Sequence, residues 1–160
     1  MSPWPREIVD DEPIVRGICS PYHVKKGKLL SAAYLPPYES EEVSVMRVAW
    51  IGADACKQHA KDLEDHTTVP KKIYTGLAVL SAKQIRNSGA MIVDTREVFE
   101  GHADIKHGIT PTRGDPLPPD QLYELQQRTK GLAKLAVYYA DPSPEGLEWS
   151  GPSLEYTSDG

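Results

Sequence analysis

Short runs of alternating apolar and polar positions dominate this chain, and two longer stretches carry the three-to-four-residue spacing of an amphipathic helix. Ile14-Val15-Arg16-Gly17-Ile18-Cys19 has strand character and stops at Ser20-Pro21. A second short strand is expected from Leu29 to Leu35, with a Lys26-Gly27-Lys28 turn before it and Pro36-Pro37 after it. The clearest strand is Val43 to Ile51, β-branched or aromatic at most positions, with Val43, Val45, Arg47, Ala49 and Ile51 on one face. A helix should open at Gly52-Ala53-Asp54, with Asp54 as its N-cap and Ala53, Cys56, Ala60 and Leu63 as its stripe, and end near Asp65.

Ile73 to Leu80 reads as a strand, and Ser81-Ala82-Lys83-Gln84 matches a capping box that starts a short helix to Asn87. Ala90 to Asp94 is a compact apolar strand, so strand, short helix and strand suggest a crossover placing parallel strands side by side. Thr110 to Pro119 is a proline-rich loop. Asp120 starts the longest helix, striped by Leu122, Leu125, Thr129, Leu132 and Ala136, and Asp141-Pro142-Ser143-Pro144 is a stop. These elements predict an α+β or small α/β fold: a mixed sheet of five or six strands with two to three helices, the long C-terminal helix packed on the sheet. Residues 1–13 form an irregular arm, residues 14–151 a single domain, and residues 152–160 a flexible tail.

Composition narrows the function classes. At 160 residues the chain can bury a core without disulfides or metal. The formal net charge of -5 argues against nonspecific binding to phosphate backbones, and Lys25-Lys26-Gly27-Lys28 is the best local basic patch. No apolar run reaches the roughly 18 residues of a spanning helix, and Met1 to Arg6 has no signal-peptide pattern, so a cytoplasmic protein is expected. Cys19 and Cys56 do not form a CxxC pair. Each does precede a histidine, as Cys19-x3-His23 and Cys56-x2-His59, but both read as small buried hydrophobes rather than zinc ligands. No cofactor or metal is expected.

Candidate chemistry concentrates in Gly101-His102-Ala103-Asp104-Ile105-Lys106-His107-Gly108. As a strand it places His102, Asp104 and Lys106 on one face and Ala103, Ile105 and His107 on the other. His102 and Asp104 then stand about 7 Å apart at their Cα atoms, close enough for the carboxylate to orient an imidazole base. The alternative is a solvated polar face with no chemistry. Arg47, Lys106, Arg113 and Arg16 are candidate anion- or substrate-binding groups. Arg47, set among apolar neighbours, calls for a carboxylate or anion unless it reaches solvent from an edge strand.

Arg16-x-Ile18 with Pro21 downstream, Ser31-Ala32-Ala33-Tyr34, Val43-Ser44-Val45 and Gly101-His102-Ala103 occur in that order over residues 14–108. This order resembles a pattern in small uncharacterised bacterial proteins; the resemblance implies a bacterial source and carries no activity. The expected function is a noncatalytic protein-binding accessory module of a bacterial multiprotein system, in a stress or defence setting. A larger protein would dock on Trp4, Tyr22, Tyr38 and Trp149, since aromatic anchors on loops are typical of interfaces. The alternative is a small hydrolase or phosphoryl- or nucleotide-processing enzyme built on His102 and Asp104.

Overall fold

Six strands share one sheet because their alternating side chains have an apolar layer to meet on each face. The computed structural model describes residues 4–154. In chain order the elements are β1 (Pro13–Ser20), β2 (Val24–Lys25), β3 (Lys28–Leu29), a 3-10 helix (Ser31–Tyr34), β4 (Glu42–Arg47) and α1 (Val48–Lys61). These are followed by β5 (Ile73–Ser81), α2 (Ala82–Asn87), β6 (Met91–Asp94), β7 (His102–Lys106), α3 (Pro119–Leu135) and β8 (Val137–Ala140). The sheet order is β6-β7-β4-β1-β5-β8, and β2 and β3 form a separate hairpin.

Every ladder in the sheet is antiparallel. The architecture is therefore α+β, with a fully antiparallel rather than a mixed sheet. The expected crossover from β5 through α2 to β6 exists as a sequence of elements, yet β6 lies at the far edge of the sheet, next to β7 only. Strand pairing is set by which faces can be buried together, and a 22-residue pattern cannot report that choice.

One apolar layer joins Ile14, Ile18, Val43, Val45, Ala78, Leu80, Ile92, Ala103 and Ile105 of the sheet to Ile85 of α2 and Leu132 of α3. The other joins Val15, Met46, Leu77 and Val79 to Cys56 and Ala60 of α1. The expected capping box forms, with Ser81 Oγ accepting from the Gln84 amide at 3.1 Å and Gln84 Oε1 accepting from the Ser81 amide at 3.0 Å. Helix α3 starts with Pro119 in its first turn and buries Leu125, Thr129 and Leu132, whereas Leu122 is left 42% exposed.

Boundaries shift where tertiary contacts override local pattern. The strand expected to reach Ile51 ends at Arg47, and Val48 to Ile51 form a helical turn before Gly52, which breaks the helix at φ +87°. That angle suits a residue without Cβ. Asp54 is no N-cap: its Oδ1 accepts the Trp149 amide at 2.8 Å. The strand expected over 29–35 ends at Leu29 and gives way to the 3-10 helix. Tyr138-Tyr139, between the last stripe residue Ala136 and the Asp141-Pro142 stop, belong to β8 on the sheet edge.

Both ends of the described segment are anchored. Of the N-terminal arm, residues 1–3 lie outside the described residues; beyond them Ile8 is buried and Arg86 donates to the Ile8 carbonyl and pairs with Asp10 at 2.7 Å. Of the tail, residues 155–160 lie outside the described residues, and Leu154 is buried in the α1-side layer. Fully buried Lys57 of α1 pairs with Asp141 at 3.0 Å and donates to the Ser143 and Glu148 carbonyls, which ties the segment after β8 across α1. Tyr74 donates to the same carboxylate at 2.6 Å, completing a buried network that satisfies each member.

Candidate functional site

The histidine segment is extended, as its alternation predicts, but its polar edge is not a solvated surface. β7 leaves a tight turn over residues 95–101 in which the His102 amide donates to the Phe99 carbonyl and the Thr95 amide to the His102 carbonyl. Gly101 closes that turn at φ +88°, with Ile51 so close that an added Cβ would lie 2.4 Å from its Cγ2. His102 and Asp104 are 4% and 7% exposed. Phe99 meets the His102 ring edge-on at 4.7 Å and is stacked on its other side by His59 at 3.6 Å.

Pairing with β4 supplies the missing partner. The register sets Ser44 opposite Asp104 and Met46 opposite His102, so the exposed Ser44 lies diagonal to the imidazole on the same face. Ser44 Oγ is 2.7 Å from His102 Nε2, and Thr95 Oγ1 is 2.6 Å from His102 Nδ1. The Asp104 carboxyl lies beside the same ring nitrogen, its Oδ2 3.9 Å from Nδ1. A proton on Nδ1, the nitrogen turned to Thr95 and Asp104, leaves the Nε2 lone pair facing Ser44. The hydrogen-bonded chain runs from Ser44 through His102 to Thr95, with Asp104 beside the imidazole.

Burial works against charge on both ionisable members of this chain. It lowers the His102 pKa against the pull of Asp104, and it raises the Asp104 pKa against the effects of His102 and Thr95. A neutral imidazole with a free lone pair on an exposed hydroxyl is the arrangement of a general base beside a nucleophile. Lys106 continues the same face and pairs with Glu42 at 3.3 Å. His107, on the opposite face, bonds the Tyr34 carbonyl through Nε2 at 2.8 Å, and its carbonyl accepts from Arg128 at 2.6 Å.

Arg47 does not join this chain. It lies on the opposite face at the end of β4, where its guanidinium binds Glu12 at 2.7 Å, Asp94 at 2.6 Å and the Pro5 carbonyl at 2.8 Å. It is fully buried, so of its two sequence-level environments the carboxylate-paired one is realised. Burial raises the Asp94 pKa, but hydrogen bonds from Arg96 and Arg47 outweigh it and hold the carboxyl at about 2. Arg16 spans the inner face, donating to the Ala33 and Ser44 carbonyls at 2.9 and 3.1 Å. Arg113 sits in the 111–118 loop, 5.2 Å from the Tyr38 ring centroid.

The four aromatic candidates separate by packing. Trp4 stacks on Trp50 at 6.1 Å and its carbonyl accepts from Arg96. Trp149 packs half-buried on the α1-side layer, its Nε1 donating to the Pro152 carbonyl. Tyr22 donates to the Pro70 carbonyl at 2.7 Å. Tyr38 is 57% exposed and lines an apolar groove of about 350 Å³ with Leu35, Pro36, Pro37, Pro111 and Leu122. The proposed cysteine and histidine pairs hold no metal cluster: among the described residues no three His, Cys, Asp or Glu side chains gather at one point. His23 Nδ1 accepts the Cys19 amide at 3.0 Å, and both thiols are buried and free.

Sequence reasoning missed Ser44 and Thr95, the two hydroxyls that connect the site, and the Lys57–Asp141–Tyr74 network. Ser44 did leave a signal, as the polar member of an apolar Val43-Ser44-Val45 strand, but its partner lies 58 residues away. Comparison with protein-family models, with curated proteins and with solved structures gives no match. Among the described residues, no helix is long and apolar enough to cross a membrane.

Proposed function

We propose that this chain is a protein-binding module, an accessory part of a bacterial multiprotein assembly in the cytoplasm. The observation that carries the reading is the groove beside Tyr38. Leu35 and Leu122, 43% and 42% exposed, face solvent where apolar side chains of a folded chain gain most by being covered. The bacterial setting is supported by the ordered resemblance of residues 14–108.

The chemistry of the walls selects the occupant. Pro36, Pro37 and Pro111 have no amide hydrogen, and the Pro111 carbonyl already accepts from the Glu39 amide at 2.7 Å. Such a rim offers little to an added β-strand, whose affinity comes from main-chain hydrogen bonds. It suits an amphipathic helix of a larger protein, inserting aliphatic anchors between Tyr38 and Leu122. Arg113, held over the Tyr38 ring, would favour an acidic residue beside those anchors.

A photo-crosslinking residue placed at Leu122 of the full chain, expressed in its native host, tests this. Adducts should map to one partner at positions three or four residues apart, and Leu35→Asp should abolish them while leaving the melting temperature nearly unchanged. Adducts along an extended segment, or a protein that always runs at its monomer mass without adducts, would overturn the reading.

A further inference from the structure

Between β4 and β7 the outer sheet face holds a set of groups that a docking module does not need. Ser44 is exposed, whereas the imidazole beneath it is buried and walled by Phe99. A solvent-facing hydroxyl gains no stability from donating to a buried ring that it could exchange for water, and a buried imidazole could be replaced by an apolar residue at no loss of polar satisfaction. The chain also runs from the exposed hydroxyl through the buried ring to Thr95, with the Asp104 carboxyl 3.9 Å from Nδ1.

We propose that Ser44 is an acyl-accepting nucleophile, with His102 as its general base and Thr95 and Asp104 as positioning residues that fix the imidazole tautomer. This assignment stands independently of the docking groove, which lies at the proline-rich loops and the start of α3.

The reaction balances without a cofactor. His102 Nε2 takes the Ser44 hydroxyl proton as Ser44 Oγ bonds to the carbonyl carbon of an ester. The tetrahedral adduct collapses with cleavage of the bond to the leaving oxygen, which takes the proton back from Nε2 and departs as an alcohol. Water then adds to the acyl-Ser44 carbonyl, again losing its proton to His102, and the acyl group leaves as a carboxylic acid while Ser44 regains its hydrogen. The Lys106 ammonium follows Asp104 by two positions on the same face and is the nearest cation along the strand for the oxygen that becomes negative.

Charge on this face selects the substrate class. Glu42 and Asp104 flank Ser44 along the two strands, and Lys106 is already paired with Glu42. A dianionic phosphate ester would meet two carboxylates and a single cation. An uncharged carboxylic ester meets no such repulsion at the exposed Ser44.

The full chain incubated with p-nitrophenyl acetate and, separately, with a fluorophosphonate should gain one adduct, mapped by peptide mass to Ser44. Ser44→Ala should remove it. Thr95→Val keeps the shape of the turn but removes the hydroxyl at His102 Nδ1, and it should slow acylation and move its pH profile, while His102→Gln should slow it about 100-fold. Each variant is compared at matched circular dichroism, and the Thr95 variant carries the test should His102→Gln fail to fold. Absence of any adduct, an adduct elsewhere, or Ser44 labelling at the same rate and pH dependence in the Thr95 and His102 variants would overturn the proposal.

Discussion

Two regions built on the same strands bury polar groups in opposite ways. The Arg47 cluster, at the end of β4, closes on itself: the guanidinium meets Glu12, Asp94 and the Pro5 carbonyl, and Asp94 is held in turn by Arg96 at 2.9 Å. Every charge there is compensated, and the result fastens the N-terminal arm to the sheet. The His102 chain, on the other face, starts at an exposed hydroxyl and runs inward through neutral groups. A closed ionic cluster serves architecture, because removing one partner strands the rest. An open hydrogen-bonded chain leaves one end free to exchange protons with something outside.

The comparison breaks most easily at Arg47. Replacing it with Ala leaves the buried Glu12 carboxylate without its cation and Asp94 with Arg96 in place of two guanidinium partners, and should cost about 3–5 kcal/mol of unfolding free energy in urea titration; a loss below about 1 kcal/mol would mean the cluster is not architectural. Gly101 joins the two regions, since its carbonyl accepts the Arg47 amide at 2.8 Å and it precedes His102. Gly101→Ala should cost about 1–3 kcal/mol through its backbone angle alone, and the contact with Ile51 adds to that. Wild-type stability in that position would show the turn to be adaptable.

Acid should separate the regions further. His23, pushed down to about 3 by burial, is neutral in the fold and protonates near 6.5 once unfolded, so its contribution is complete above pH 6.5 and declines as pH falls toward 3. Asp94, held at about 2, adds a second loss below about pH 4, where the unfolded carboxyl begins to protonate. Melting temperature measured from pH 7 to pH 3 should therefore fall in two stages, the second reduced most in an Arg96 variant and less in an Arg47 variant. A flat profile would contradict both assignments. Smallest of all, Ser44→Ala should change unfolding free energy by less than about 0.5 kcal/mol, because an exposed hydroxyl leaves no buried group stranded that water cannot reach. A cost above about 1 kcal/mol would make Ser44 structural and erase the contrast.

Much of the secondary structure was legible from local pattern. The strands at 73–81, 91–94 and 102–106, the Ser81–Gln84 capping box and the Pro119-led helix follow from alternation, capping chemistry and helical spacing, each readable within about ten residues. The candidate site was half legible. His102 and Asp104 were readable because they share one strand, two positions apart. Ser44 and Thr95 were not, since each reaches the imidazole only through chain pairing or turn geometry. Arg47 was grouped with the histidine from charge alone, although strand alternation and register put them on different faces. The segment Val48 to Ile51 misled for the opposite reason: its β-branched and aromatic residues favour a strand, but the chain must turn away once Arg47 is locked between Glu12 and Asp94.

By itself the sequence determined the α+β class, the extended path through the twin-histidine segment and the two apolar faces of its strands, because those depend on residue spacing and backbone sterics. Only the tertiary structure decided that all ladders run antiparallel, that Arg47 clamps an arm rather than a ligand, and that an exposed serine meets a buried histidine. Those outcomes depend on which distant strands share a register, and the energy that selects a register is spread over the whole core rather than written in any one segment.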